Sequence, residues 1–180
     1  WDMNRHSSAC GLRAHEYVLG LYDVLRRIFG PRPQILLESC SSGGNRFDLG
    51  MMCFSPQVWT SDDTDPVERL TIQGNLSLLY PQSVMGAHVS QAPHAQTLRR
   101  TPLHTRGNVS FFGILGYELD LGELLPVEEK EIRGQIAFYK ENRALFQFGE
   151  FRRVRSTDGR AWEVLRDGRA ALGLFYEQTP

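Results

Sequence analysis

Cysteine is scarce in this chain: Cys10, Cys40 and Cys53 are the only three in 180 residues, and no two form a CxxC pair. An odd count without paired spacing suggests neither a disulfide framework nor a zinc site. It favours a reducing compartment, so a cytoplasmic setting is the expectation. Charge of one sign is lacking as well. Twenty basic residues against 21 acidic ones leave a net charge of −1, which gives no electrostatic case for nucleic acid or an anionic membrane as partner. No apolar run approaches the ~20 residues that a membrane span needs. A starting Met is missing too, and the chain opens directly on Trp1-Asp2-Met3-Asn4-Arg5. Intact domains rarely place chemistry at a fraying terminus, so the expectation is a piece of a longer protein.

What is present centres on residues 40–65. This stretch opens on a small-residue turn, Ser41-Ser42-Gly43-Gly44, and closes on Asp62, Asp63 and Asp65 after the short apolar run Gln57-Val58-Trp59-Thr60. Adjacent glycines let backbone approach a ligand with no Cβ in the way. A strand that delivers acids at its carboxyl end is how parallel α/β barrels present catalytic groups. The same three acids also read as a solvated loop, and Asp65 before Pro66 and Glu68 reads as a helix N-cap with a capping box. A further acid, Asp2, lies between Trp1 and Asn4 at the head of the chain.

Strand and helix signals alternate over the first ~145 residues. Tyr17, Val18, Leu21, Val24, Leu25 and Ile28 recur at helical spacing and predict a helix over 15–29, ended by Gly30-Pro31. Strands are expected at 34–38, 57–60, 84–89 and 114–119, and helices at 66–76, 108–112 and 126–146, with a long loop over 91–105. From residue 148 the grammar changes to three short strands at 151–155, 162–166 and 170–176, split by Asp158-Gly159 and Asp167-Gly168, the hairpin signal. A parallel α/β sheet with an antiparallel β appendage follows. Four or five βα units do not close an eight-stranded barrel, which again implies a fragment.

Four ordered motifs carry a resemblance: Trp-Asp-Met-Asn-Arg (1–5), Leu-Glu-Ser-Cys-Ser-Ser-Gly-Gly-Asn-Arg-Phe-Asp (37–48), Pro-Gln-Val-Trp-Thr-Ser-Asp-Asp-Thr-Asp (56–65) and Gly-Tyr-Glu-Leu-Asp-Leu (116–121). Together, and nearly end to end, they resemble glycoside hydrolase family 36, the retaining α-galactosidases. The resemblance implies that residues 1–147 are the second half of a (β/α)8 TIM barrel, and that 148–180 begin a C-terminal antiparallel β-sandwich domain. It matches Asp2 to the nucleophile and Asp62 to the acid/base. It matches Trp1, Met3, Asn4, Cys40 and Gly43 to galactose contacts, with Cys40 a contact residue, not a thiolate nucleophile. Two carboxyl groups in these roles are what retaining hydrolysis requires. Asp63 beside Asp62 offers a like charge that would help Asp62 keep a proton.

The implied activity is hydrolysis of terminal α-galactosides such as melibiose and raffinose, with no cofactor or metal. A galactosyl-transferring relative and a non-catalytic carbohydrate-binding or scaffolding fragment are the alternatives, and a homo-oligomeric parent stays open. The isolated chain is expected to be inactive, because the family's Lys before Trp1 and its first-half galactose contacts fall outside it. Three departures stand out: residues 5–14 form a shorter segment than the family's, Asn45 replaces a customary Gly, and His94-Ala95 replaces an Asn-His-like pair. His88, His94 and His104 raise the question of a metal, but no two fall at i, i+4 spacing near an acid, and the Asp trio lacks a calcium-loop pattern. Arg99-Arg100 reads as a solvated pair. Trp59 and Trp162 read as core or hairpin residues, although Trp59 precedes Asp62 by three positions.

Overall fold

The computed structural model describes residues 1–2, 11–41, 43, 45–155 and 159–176. The chain divides into two compact units, Trp1–Asp62 and Asp63–Pro180.

In the first unit a short 3-10 turn, Gly11–Arg13, leads into helix α1 (Ala14–Phe29). Leu25 of α1 is buried with Leu37 and Met51, and Leu21, Phe29 and Phe54 pack around them. The rest of the predicted apolar stripe, Tyr17, Val18, Val24 and Ile28, stays more than a third exposed. Strand β1 is only Glu38–Ser39, followed by α2 (Leu49–Met52) and β2 (Gln57–Trp59). The two strands run parallel, with Glu38 opposite Gln57 and Ser39 opposite Val58.

The strand expected at 34–38 is therefore corrected to a later and shorter one. Apolar content alone does not make a strand; a neighbour must take its backbone groups. Ile35 instead donates its N–H to Arg32 O at 3.0 Å in a turn, and Leu36 is 82% exposed. Ser55, fully buried, closes the connection: its Oγ accepts the Ser39 N–H at 3.0 Å and reaches Leu37 O at 2.9 Å. Asp48 caps α2 by accepting from Met51 N at 2.8 Å, and also takes the Tyr22 hydroxyl at 2.7 Å. Burial, then that bond to Asp48, pushes the Tyr22 phenol up to about 12.

The second unit contains α3 (Pro66–Leu76), β3 (Met85–Ser90), α4 (Leu103–Ser110), β4 (Ile114–Glu118) and α5 (Pro126–Phe148). Strands β3 and β4 are parallel, with Gly86 opposite Ile114 and Ser90 opposite Glu118. Val89 is buried with Leu103 and Ile132. Helix α4 begins well before the expected 108–112, which shortens the predicted loop. Its buried face includes Arg106, Gly107 and Ser110, which carry no hydrophobic periodicity and so hid the helix from the sequence pattern.

After α5 the backbone turns antiparallel: β5 (Glu150–Arg155), β6 (Arg160–Arg166) and β7 (Arg169–Phe175) form a three-stranded sheet. Asp167 and Gly168 both have positive φ, 51° and 75°, as the two-residue hairpin turn predicted there requires. Asp158 of the other predicted turn lies outside the described residues. Trp162, on β6, is 2% exposed and edge-on to Phe112 at 5.5 Å. Phe146 of α5 meets the same Phe112 at 5.3 Å and 83°, and Phe175 of β7 closes on Trp162 at 5.4 Å. Such pairs add about 0.5–1.5 kcal/mol each beyond their buried area, and they tie the antiparallel sheet to α4 and α5.

Asp65 caps α3 as expected, accepting from Val67 N at 2.8 Å. The reciprocal half of the predicted capping box is corrected. Glu68 pairs with Arg99 at 3.2 Å, and the Asp65 N–H goes to Asp63 Oδ1 at 3.1 Å. Arg99 also meets the fully buried Asp65 carboxylate at 2.6 Å, so Arg99 is no solvated loop residue. Burial acts to raise the Asp65 carboxyl, but hydrogen bonds from Thr97, Arg99 and Val67 and the Arg99 charge outweigh it and hold the group below the usual carboxylate range. Arg69, 2% exposed, donates to Asp63 O at 2.7 Å and Gly86 O at 2.9 Å.

A depressed folded pKa contributes stability that is present above the unfolded value, near 3.9, and is lost as pH falls through the folded value. In the full-length protein Asp65→Ala should therefore cost about 2 kcal/mol at pH 7 through the lost cap and buried partners. Urea unfolding of both proteins at neutral pH and near pH 3 should show the gap narrowing in acid; an unchanged gap would remove the ionised cap from this account.

Candidate functional site

The site begins with backbone pairing at the end of β1. Asp2 and Cys40 form an isolated parallel bridge. Cys40 donates its N–H to Trp1 O at 2.8 Å, and the Trp1 nitrogen donates to Glu38 O at 2.9 Å. Arg46, from the turn after β1, clamps the same place: its Nη2 donates to Cys40 O and, at 3.3 Å, to Trp1 O. Trp1 and Asp2 are exposed and Cys40 is half-buried.

The Cys40 thiol lies where the candidate acids converge. Burial pushes it above its ordinary value, and so do a hydrogen bond to Asp2 and the negative charges of Asp2 and Asp62; a hydrogen bond from the Gly43 backbone acts the other way. Raised in this way, the thiol stays protonated at neutral pH and is no nucleophile, since only the thiolate attacks. Asp2 through a hydrogen bond and Asp62 through its charge thus act on one thiol, from the two ends of the unit.

Gly43 supplies the remaining constraint. Its φ is +79°, and a Cβ built there would lie 2.7 Å from Ser61 Cα and 3.0 Å from Asp62 N. Only glycine suits both the left-handed backbone and that closeness. The turn 41–45 is closed by Ser41 N to Gly43 O at 3.2 Å and Asn45 N to Ser41 O at 3.3 Å. On the far side Trp59, the last residue of β2, donates Nε1–H to Asp62 Oδ1 at 2.9 Å.

Five of the seven candidate residues, Trp1, Asp2, Cys40, Gly43 and Asp62, therefore meet at the carboxyl ends of two parallel strands, the position where βα folds carry their chemistry. Met3 and Asn4 lie outside the described residues. Arg46, within the 37–48 motif, had no role assigned from sequence, and Trp59, expected as a core or hairpin residue, is only partly buried and turns its indole N–H to Asp62. The one available signal was the three-residue spacing from Trp59 to Asp62. Asp63, expected to help Asp62 keep a proton, turns Oδ1 to the Asp65 N–H, 4.0 Å from His94 Nε2.

Of the histidines, His94 is buried and bonded to Thr64 Oγ1 at 3.0 Å, with its Nδ1 accepting from Thr97 N at 3.3 Å. Burial and then the Arg69 charge push His88 down to about 4. Its 3.7 Å approach to Glu118 is accordingly that of a neutral imidazole to a carboxylate at neutral pH. Among the described residues no group of three or more His, Cys, Asp or Glu side chains is placed to hold a metal, and no helix is long and apolar enough to cross a membrane.

With this geometry in hand, comparison with known proteins decides the family. The Melibiase family matches residues 1–149. The chain belongs to that family. It is 50% identical over 166 residues to alpha-galactosidase AgaA of Geobacillus stearothermophilus, a match covering 87% of this chain and 23% of that protein. The galactosidase domain of the alpha-galactosidase–sucrose kinase AgaSK superposes with a TM-score of 0.95 at 40% identity, covering 100% of this chain and 26% of that one. A doubly substituted AgaA solved in complex with raffinose gives a TM-score of 0.90 at 46% identity, over 98% of this chain and 27% of that one. The chain thus spans about a quarter of the relatives it matches. Its fold class is that of the second part of a (β/α)8 barrel followed by antiparallel strands.

The close approach at Gly43 gives a test. In the full-length protein Gly43→Ala should cost about 1–3 kcal/mol, from left-handed strain and the displaced Ser61–Asp62 backbone. Chemical denaturation measures it, and a wild-type midpoint would show that the turn does not press on Asp62.

Proposed function

We propose that the protein carrying this chain is a retaining α-galactosidase. It hydrolyses terminal α-D-galactosyl residues of melibiose- and raffinose-type oligosaccharides through a glycosyl-enzyme intermediate. The observation that carries the reading is the bridging of Asp2 to Cys40, with Gly43 three residues on pressed against Asp62, in a chain of the Melibiase family. A relative solved with raffinose supports the substrate class.

In the first step an Asp2 oxygen attacks the anomeric carbon while the bond to the leaving oxygen breaks, and Asp62 gives that oxygen its proton. In the second, Asp62 takes a proton from water, water attacks the same carbon, and the ester to Asp2 breaks. The thiol, hydrogen-bonded to Asp2, and the backbone register at Cys40 hold the nucleophile. Trp1, Met3, Asn4, Cys40 and Gly43 contact the sugar. The division into a catalytic barrel part, 1–147, and the start of a β domain, 148–180, belongs to the same proposal; the switch to antiparallel pairing at Glu150 supports it.

In the full-length enzyme Asp2→Asn should lower turnover by several hundred-fold or more while sugar binding survives, because it removes a covalent step, not ground-state contacts. A fluorinated galactosyl donor should label Asp2. Label on any other carboxylate would overturn the assignment.

Asp62→Ala should spare an aryl α-galactoside with a good leaving group and strongly impair raffinose. A sugar alkoxide needs general-acid help worth roughly 10²–10⁴-fold, and an activated aryl group needs little. Equal losses in kcat/KM on the two substrates would make Asp62 structural.

A further inference from the structure

We propose that Trp59 is a positioning residue for Asp62, its indole N–H deciding which carboxyl oxygen carries the transferable proton. This rests on the acid/base reading of Asp62 given above. Nε1 lies 2.9 Å from Oδ1, and an indole N–H can only donate. A neutral carboxyl has one hydroxyl oxygen and one carbonyl-like oxygen, and the carbonyl-like oxygen is the better acceptor. With Oδ1 on the indole, the proton sits on Oδ2.

The donor is itself well anchored. Trp59 ends β2, whose preceding residues Gln57 and Val58 are in register with Glu38 and Ser39. The Asp62 backbone is itself confined by the Gly43 turn, which leaves no room for a Cβ against Ser61 and Asp62. The carboxyl is thereby held at its backbone and at one oxygen, and only rotation about the side-chain bonds against the indole bond could re-aim it.

The bond also changes strength along the reaction. As the Oδ2–H bond breaks, the proton passes to the glycosidic oxygen, which keeps the electron pair of the broken bond to the anomeric carbon while Asp2 bonds to that carbon. Negative charge then spreads over both Asp62 oxygens, and the N–H···Oδ1 contact becomes charge-assisted. An interaction that strengthens in this way favours the transition state over the ground state. In the second step the same bond keeps Oδ2 as the oxygen that takes the proton from water.

The test uses two variants of the full-length enzyme: Trp59→Phe, and replacement of Trp59 by benzothienylalanine, which keeps the bicyclic shape but has sulfur in place of the N–H. Both should lower kcat/KM for raffinose about ten-fold, chiefly through kcat, and leave kcat/KM for an aryl α-galactoside with a good leaving group nearly unchanged. In an Asp62→Ala background neither replacement should lower raffinose turnover further, since there is no carboxyl left to aim. Equal losses on the two substrates, or a loss that persists without the Asp62 carboxyl, would make Trp59 a packing or sugar-contacting residue and overturn the proposal. Full raffinose activity in the benzothienylalanine variant would overturn it too. Failure of the acid/base reading itself shows separately, as Asp62→Ala impairing both substrates alike in otherwise wild-type enzyme, and the proposal then falls with it.

Discussion

A parallel backbone register at the end of β1 carries the candidate site. Cys40 takes up Trp1 O, the Trp1 nitrogen takes up Glu38 O, and Asp2 is bridged to Cys40. These bonds set the height of the nucleophile candidate against the thiol, because each pairs one backbone donor with one backbone acceptor at a fixed register. Arg46 adds a cationic donor to both carbonyls at the join. Covalent chemistry depends on the placement of the attacking carboxylate, and here backbone pairing and the half-buried Arg46 both act on that placement.

The second carboxylate is held by a different device. Asp62 lies three residues beyond β2, between the indole of Trp59 and a turn that only Gly43 can form. The two acids are thus supported by separate elements, and both act on the Cys40 thiol, Asp2 through a hydrogen bond and Asp62 through its charge. Cys40 is the common neighbour, and burial and the hydrogen bond to Asp2 keep its thiol protonated. An ionised thiol there would set a negative charge beside Asp2 in a half-buried place, at an electrostatic cost that burial makes worse.

The second unit relies on buried polar groups as much as on its aromatic cluster. Arg69, Asp65 and Gln73 are almost fully buried on or beside α3, and each has a specific partner: backbone carbonyls for Arg69, Thr97 and Arg99 for Asp65, Phe112 O for Gln73. Satisfied polar groups of this kind specify one arrangement, since any slip leaves a donor or acceptor unpaired at a cost of ~1–3 kcal/mol. Around them Phe112, Phe146, Trp162 and Phe175 join helices and antiparallel sheet by edge-on packing.

Local chemistry made much of this legible from sequence. Pro66 after Asp65, Pro126 at the start of α5 and the Asp167-Gly168 turn each act within a few residues, through fixed φ, a capped N–H or a left-handed backbone. The change from parallel to antiparallel grammar near residue 148 was likewise written in the spacing of apolar residues and turn pairs. The motifs around Asp2, Cys40 and Asp62 put the candidate residues forward in order. Tertiary structure alone decided the rest. Whether Ile35 and Leu36 form a strand depends on a partner's backbone, and Glu38 and Ser39 had one while they did not. Helix α4 was hidden because its buried face mixes Leu103 and Val109 with Arg106, Gly107 and Ser110, and the burial of Arg106 depends on a partner outside the helix, Ser90 O. That Trp59 turns its N–H to Asp62, and that Gly43 presses on the backbone before it, are facts of three-dimensional approach. No periodicity encodes them, since each depends on where a turn and a strand end come to rest against each other.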